Sequence, residues 1–388
     1  MKRSNTKVDR QNLTRLLSDL VAIESINPNM KGARNGEAAI GDYIGNYLRR
    51  LGMEVEKDEV LPGRANILGR LAGSDPCRRL LFESHLDTMP VEGMEIDPFQ
   101  PRIEQGRLYG RGACDDKASI AAMLQALAMV KEEGGPRADI YFLGSVDEEY
   151  QFQGIRHFLK RGFWAQGAVV GEPTDLDLVV AHKGMVRWRM VVTGKAAHSS
   201  QPEEGINAIV KMAGIIQRIE EEIQPSLHRL RHPRLGPATL SVGKIEGGIQ
   251  VNIVPDRCVI ELDRRLLPGE DAGSALAPFQ ELLDRMKRED PQLQVSMEEP
   301  FLVDYPLETA EEEEVVVAAK DAVAAVRGKA RVKAVPYGTD GSKIARAGIP
   351  TVVLGPGSIA QAHTATEFVE IQQVVEAAAI YARIMLAF

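Results

Sequence analysis

Leu80-Leu81-Phe82-Glu83-Ser84-His85-Leu86-Asp87-Thr88 reads as a buried strand that ends in chemistry. Side chains along a strand alternate with a period of two, so His85 and Asp87 point to the same side. That placement suits an imidazole that binds a metal through one nitrogen while a carboxylate takes the N–H of the other. A surface turn offers the same His-x-Asp pattern, so the rest of the chain has to decide between the two readings.

Around this stretch, helix and strand alternate. Leu13, Leu16, Leu17, Leu20 and Val21 mark one helical face, and Ile40, Tyr43, Ile44, Tyr47, Leu48 and Leu51 mark a second that Gly52 stops. Strands are expected at Asn66–Leu71, Arg79–Ser84, Asp139–Val146 and Ala168–Gly171, with helices at Ala118–Lys131 and Ile155–Leu159. The alternation predicts a doubly wound α/β sheet whose ligand site lies at the carboxyl ends of the strands. From Gly184 the order changes. A strand Val186–Thr193, a helix Ile206–Ile223, strands at Ala238–Ile245 and Gln250–Leu262, a helix Gly273–Met286 and a strand Gln292–Met297 spell the split βαβ, ferredoxin-like arrangement. The α/β rhythm then returns, with a helix over Ala310–Val326, strands at Val332–Val335 and Thr351–Leu354, and a closing helix from Phe368. The expected organisation is a discontinuous mixed-sheet α/β catalytic domain, residues 1–183 and 303–388, with an inserted α+β domain at 184–302.

The chain has 388 residues, 44% hydrophobic and 26% charged, with a formal charge of −8. That size favours two cores over one, and the acidic balance without a long Lys/Arg run argues against a nucleic-acid partner. Met1-Lys2-Arg3-Ser4-Asn5-Thr6-Lys7 carries no apolar segment behind its basic residues, and no run reaches transmembrane length, so the expectation is a cytoplasmic protein with no membrane partner. Cys77, Cys114 and Cys258 are odd in number and widely spaced, which encodes neither a disulfide framework nor a thiolate metal site.

The candidate chemistry lies in the loops after the strands. Gly110-Arg111-Gly112-Ala113-Cys114-Asp115-Asp116-Lys117 is a glycine-rich turn into a helix, but its spacing fits no phosphate loop and its carboxylates would repel phosphate, which points to a cation. For Asp116 a helix cap is the competing role. Asp147-Glu148-Glu149 ends one strand and Glu172 another; adjacent glutamates can divide metal binding and proton transfer between them. Pro173 biases Glu172 to an extended backbone, and His363 sits in a late loop. Each alone could be a solvated turn. Together, imidazole, carboxylates and imidazole after separate strands form the mixed N/O donor set of one or two zinc-like ions with an open coordination position.

These motifs resemble those of the metallopeptidase family that holds acetylornithine deacetylase, succinyl-diaminopimelate desuccinylase, aminoacylase and glutamate carboxypeptidase. The likeness is carried by His85-Leu86-Asp87-Thr88, Gly110-Arg111-Gly112 with Asp115 and Lys117, Asp147-Glu148-Glu149, Gly171-Glu172-Pro173-Thr174 and His363, and runs from about residue 10 to the end. It implies two zinc ions, replaceable by cobalt or manganese, bridged by Asp115. His85 and Glu172 complete one site, Glu149 and His363 the other, while Asp87 orients His85 and Glu148 is general base and acid. The inserted domain resembles the family's lid and dimerisation domain, which implies a homodimer with open and closed states. Gly194 through Pro202 with Gly205 and Asn207 matches its histidine motif, making His198 the residue that reaches the partner subunit's site and steadies an oxyanion. Asn252 and Arg265 would hold the substrate; a salt bridge to Asp263 is the other role open to Arg265. Ala118-Ser119 departs from the glycine common after the motif lysine, and the Asp115–Asp116 peptide is expected to be cis. The implied reaction is hydrolysis of an N-acyl amino acid to a carboxylate and a free amine. A di- or tripeptide substrate, or a non-catalytic binding role on the same scaffold, remains open.

Overall fold

The computed structural model describes residues 7–388 and divides into two compact units. One comprises the chain up to Val180 with Glu308–Lys333 and Thr339–Phe388; the other comprises Ala181–Leu307 and Ala334–Gly338.

The first unit is built on a mixed sheet. Its order runs from Glu54–Leu61 through Arg64–Leu71, Ala138–Ser145, Asp75–His85 and Gly167–Val170 to Thr351–Val353. The last four strands are mutually parallel, and the first two are antiparallel additions at the edge. Leu80 and Phe82 enter one large core with Ile140, Phe142, Val169 and Val352. Leu81, Leu143, Val170 and Val353 point the other way yet are equally buried, so both faces of the central strands are covered. The helix Lys117–Glu132, rich in alanine and buried almost all round, packs against Ile371–Ala387 and Arg10–Ala22. The small side chains allow that close approach. All four parallel strands end at one side of the sheet, which is where His85, the 147–149 turn, Glu172 and Gly355 follow.

In the second unit, Thr239–Gly247, Arg257–Leu266, Gly184–Thr193 and Gln294–Met297 form an antiparallel sheet in that order. Val186, Trp188, Met190 and Val192 are buried on one face, while Arg187 and Arg189 alternate outward. The helices Ala208–Arg218 and Ala272–Glu289 belong to this unit, and Trp188 meets Phe279 edge-on at 5.0 Å between ring centres. The strand order is that of the split βαβ arrangement.

Four local expectations are corrected. Glu54–Leu61 is a strand the sequence did not mark, because its mostly charged residues pair on one side only. The strand placed at Gln250–Leu262 begins at Arg257, leaving 248–256 as a loop. The helix expected to Ile223 widens to a π turn at Ile219–Ile223 and resumes as Gln224–Arg229; Pro225 has no N–H to continue a regular α ladder. Phe368–Glu370 is a strand paired with Arg107–Tyr109, and the closing helix starts only at Ile371.

Candidate active site

His85 is the last residue of its strand and is 2% exposed. Its Nδ1 lies 2.9 Å from the backbone carbonyl of Asp87, which can only accept, so Nδ1 carries the proton. Nε2 therefore turns a lone pair toward Asp115 Oδ1, 3.0 Å away. Two acceptors at that distance need a shared cation or a second ring proton. Burial disfavours the protonated ring, but the Asp115 and Asp87 carboxylates push its pKa well above the ordinary histidine value.

Asp115 turns its other oxygen, Oδ2, to His363 Nε2 at 3.2 Å, and the same nitrogen is 3.1 Å from Glu149 Oε1. Bonds to Asp115 and Glu149 push the His363 pKa up to about 10. Two groups of donors result: His85, Asp115 and Glu172, and Asp115, Glu149 and His363, the atoms of each lying within 4.8 Å of one another. Burial, reinforced by Asp115, raises the pKa of Glu149 and raises that of Glu172 well above the usual carboxylate range. So the donor set fits divalent cations on two counts: mixed nitrogen and oxygen ligands, and crowded buried carboxylates whose repulsion a cation offsets. Asp115 is the donor the two groups share.

Glu148 directly precedes Glu149, belongs to neither group and is itself buried. Burial, with Asp340 and Glu149 adding negative charge nearby, lifts its pKa well above the ordinary range. The Asp87 carboxylate is used differently from the expectation. Its Oδ1 is 3.7 Å from His85 Nδ1, the ring bonding instead to Asp87's own carbonyl. Its two oxygens accept the backbone N–H groups of Glu148 and Glu149, each at 3.1 Å. Asp87 thus holds the histidine by its backbone and the glutamate turn by its side chain.

The loop carrying Asp115 is held by Glu367, a residue sequence reasoning passed over although it lies four positions after His363. Its buried carboxylate accepts from the backbone N–H groups of Gly112 at 3.1 Å, Cys114 at 2.9 Å and Asp115 at 3.1 Å, and from Arg111 Nη1 at 2.6 Å. Gly112 has φ +79°, and a β-carbon there would come 2.9 Å from both Lys117 Cδ and Thr88 Cγ2. The Asp115–Asp116 peptide is cis. Asp116 stands at the helix N-cap position but makes no capping bond with its side chain; it accepts instead from Ser84 Oγ at 2.6 Å. Room for Ser119 comes from Gly171 and Gly355, whose β-carbons would each come within 2.6 Å of it. Glu367→Ala is expected to destabilise the protein by about 3–5 kcal/mol, because it strands a buried Arg111 and three N–H groups. Chemical denaturation of the metal-free protein measures this, and a loss below about 1 kcal/mol would deny Glu367 the anchoring role.

His198, Asn252 and Arg265 belong to the second unit. His198 is exposed, with Nδ1 2.7 Å from Ser200 Oγ, and pairs with Ile253 across an isolated bridge. Asn252 is exposed in the 248–256 loop and accepts at its backbone oxygen from Ser199 N at 3.1 Å. Arg265 donates to Asp263 Oδ1 at 2.8 Å, the salt bridge that its sequence left open. Asn207 caps the helix Ala208–Arg218 by accepting from Val210 N at 3.1 Å.

Residues 81–387 match the peptidase family M20/M25/M40. The chain belongs to this family. It is 28% identical over 382 residues to an acetylornithine deacetylase of Myxococcus xanthus, a match covering 96% of each chain. Among solved structures, it resembles aminopeptidase PepT from Bacillus cereus at 26% identity and a TM-score of 0.83, covering 98% of this chain and 99% of that one. It also resembles a tripeptidase from Staphylococcus aureus at 26% identity and a TM-score of 0.80, covering 98% of both. As an M20 peptidase the chain is a metal-dependent hydrolase of amide or peptide bonds, and the family's substrates are small acyl amino acids or peptides. Among the described residues no helix is long and apolar enough to cross a membrane.

Proposed function

We propose that this M20 enzyme is a di-zinc deacylase that hydrolyses N-acyl amino acids of the acetylornithine type. The observation that carries the reading is Asp115, whose two carboxylate oxygens face His85 on one side and His363 with Glu149 on the other. His85, Asp115 and Glu172 would hold one zinc ion, and Asp115, Glu149 and His363 the second. Bound there, the ions supply Lewis acidity toward the scissile carbonyl and acidify a water molecule.

The chain's own residues do the proton work. Glu148 accepts a proton from the water whose oxygen forms the new bond to the carbonyl carbon, then returns it to nitrogen as the C–N bond breaks. A raised carboxyl pKa suits a group that must be both base and acid near neutrality. The products are a carboxylate and a free amine. Asn252 would hold the substrate together with Arg265, whose guanidinium Asp263 already fixes, and His198 of the partner subunit would donate to the oxyanion.

A homodimer is supported by the second unit. Its strand Thr239–Gly247 is a sheet edge, and Ile245, Ile249, Val251 and Val210 are exposed hydrophobics. Mixing inactive Glu148→Ala and His198→Ala chains, with subunit exchange, is expected to restore about a quarter of wild-type turnover, since half the dimers would contain one intact site of two. No recovery after confirmed exchange would place His198 outside the partner's site.

The similarity to an aminopeptidase and a tripeptidase favours a second reading, cleavage of short peptides at the same centre. Free-amine release from N-acetyl amino acids, N-succinyl amino acids and tripeptides by zinc-loaded protein separates the two. Preference for an N-acyl amino acid supports the deacylase; cleavage of peptides alone replaces it with the peptidase.

A further inference from the structure

The glutamate turn is held from a part of the chain that carries none of the motif residues. Ser25, Ile26 and Asn27 run beside the end of the His85 strand. Thr88 N donates to Ser25 O at 2.9 Å, and Asn27 N donates to Thr88 O at 3.0 Å. This pairing places the Asn27 carboxamide, fully buried, between two fully buried carboxylates. Its Nδ2 donates to Asp87 Oδ2 at 2.7 Å and to Asp147 Oδ1 at 3.1 Å, which uses both amide hydrogens. Its own oxygen is engaged by Asn29 N at 3.0 Å, which fixes which way round the amide sits.

Both carboxylates bear directly on Glu148. Asp87 accepts the N–H groups of Glu148 and Glu149. Asp147 is the residue before Glu148 and holds a left-handed backbone, φ +71°, which is uncommon outside glycine although aspartate tolerates it better than most residues. Arg64 Nη1 lies 3.0 Å from Asp147 Oδ1, and Arg64 is itself gripped by Glu37 through Nε at 2.8 Å and through Nη2. Arg64 supplies the compensating charge, and Asn27 joins the two carboxylates.

We infer that Asn27 is a positioning residue for the catalytic glutamate: by joining Asp87 to Asp147 it fixes the turn from which Glu148 projects. The inference rests on Glu148 being the general base. Removing the amide leaves two buried carboxylates without their common donor, so the turn loosens while the substrate-binding residues stay untouched.

The test compares Asn27→Ala with wild type, and each with Glu148→Asp, using N-acetyl-L-ornithine and trialanine as substrates. Expected for Asn27→Ala is a kcat lower by about 10- to 100-fold with KM within about threefold, and a much smaller further loss when added to Glu148→Asp. Independently of turnover, hydrogen exchange of metal-free protein, followed on a peptide spanning residues 146–152, should speed up at the Glu148 and Glu149 amides by about tenfold. An unchanged kcat, an equal fractional loss in the Glu148→Asp background, or unchanged exchange at those amides would each overturn the inference. If Asn27→Ala does not fold, Asn27→Ser, whose hydroxyl can donate to one carboxylate only, carries the same comparison. Full turnover in Glu148→Ala would remove the general-base reading itself; full turnover in Asn27→Ala beside an inactive Glu148→Ala removes only this inference.

Discussion

Glu148→Ala is expected to lower kcat by about 10²- to 10⁴-fold while the protein still binds about two zinc ions per chain. The separation of the two effects follows from the geometry. Glu148 is outside both groups of clustered donor atoms, which comprise His85, Asp115, Glu172, Glu149 and His363. Its position is set through its backbone N–H on Asp87, so removing the carboxylate leaves Glu149 with its own N–H bond to Asp87 intact. Metal content by elemental analysis and kcat on the best N-acyl amino acid check the two halves. Retention of full turnover with zinc bound would mean that another group moves the proton.

Asp115→Asn is expected to weaken binding at both metal positions together, by more than about 100-fold, because both donor groups lose the carboxylate they share. Glu172→Gln touches one group alone, so its loss should be confined to a single ion. The difference is measurable by titration of metal-free protein with cobalt(II), whose visible absorption reports ligation, followed by elemental analysis. Retention of both ions at wild-type affinity in Asp115→Asn would show that the two positions do not depend on a common ligand. Turnover of this variant should fall to background for the same reason, and added zinc should not restore it.

The residues gathered around Asp115 could be picked from sequence because each sits where the local pattern changes. His85 closes an apolar strand, Glu148 and Glu149 follow the next, Glu172 follows a third, and Asp115 precedes an alanine-rich helix. Strand periodicity and the carboxyl-end rule need no long-range information. Signals of that kind fail where a segment takes its structure from its neighbours. Glu54–Leu61 is mostly charged and half solvated, and it becomes a strand only because Arg64–Leu71 offers it a partner. Phe368–Glu370 likewise owes its extended form to Arg107–Tyr109, whose Leu108 pairs with Val369.

What the sequence determined by itself was the alternation that makes a mixed α/β sheet, and the identity of the residues able to ligate or to carry protons. Short-range spacing controls both. What only the tertiary structure decided was the support beneath them: Asn27 on Asp87 across 60 positions and on Asp147 across 120, Arg64 on Glu37 and Asp147, and Glu367 on a loop more than 250 residues before it. An asparagine before a proline in a polar loop reads as a turn, and a glutamate after a histidine reads as a solvated charge. They become what they are because burial removes water as a partner, so each orphaned N–H and carboxylate must find its counterpart in another part of the chain.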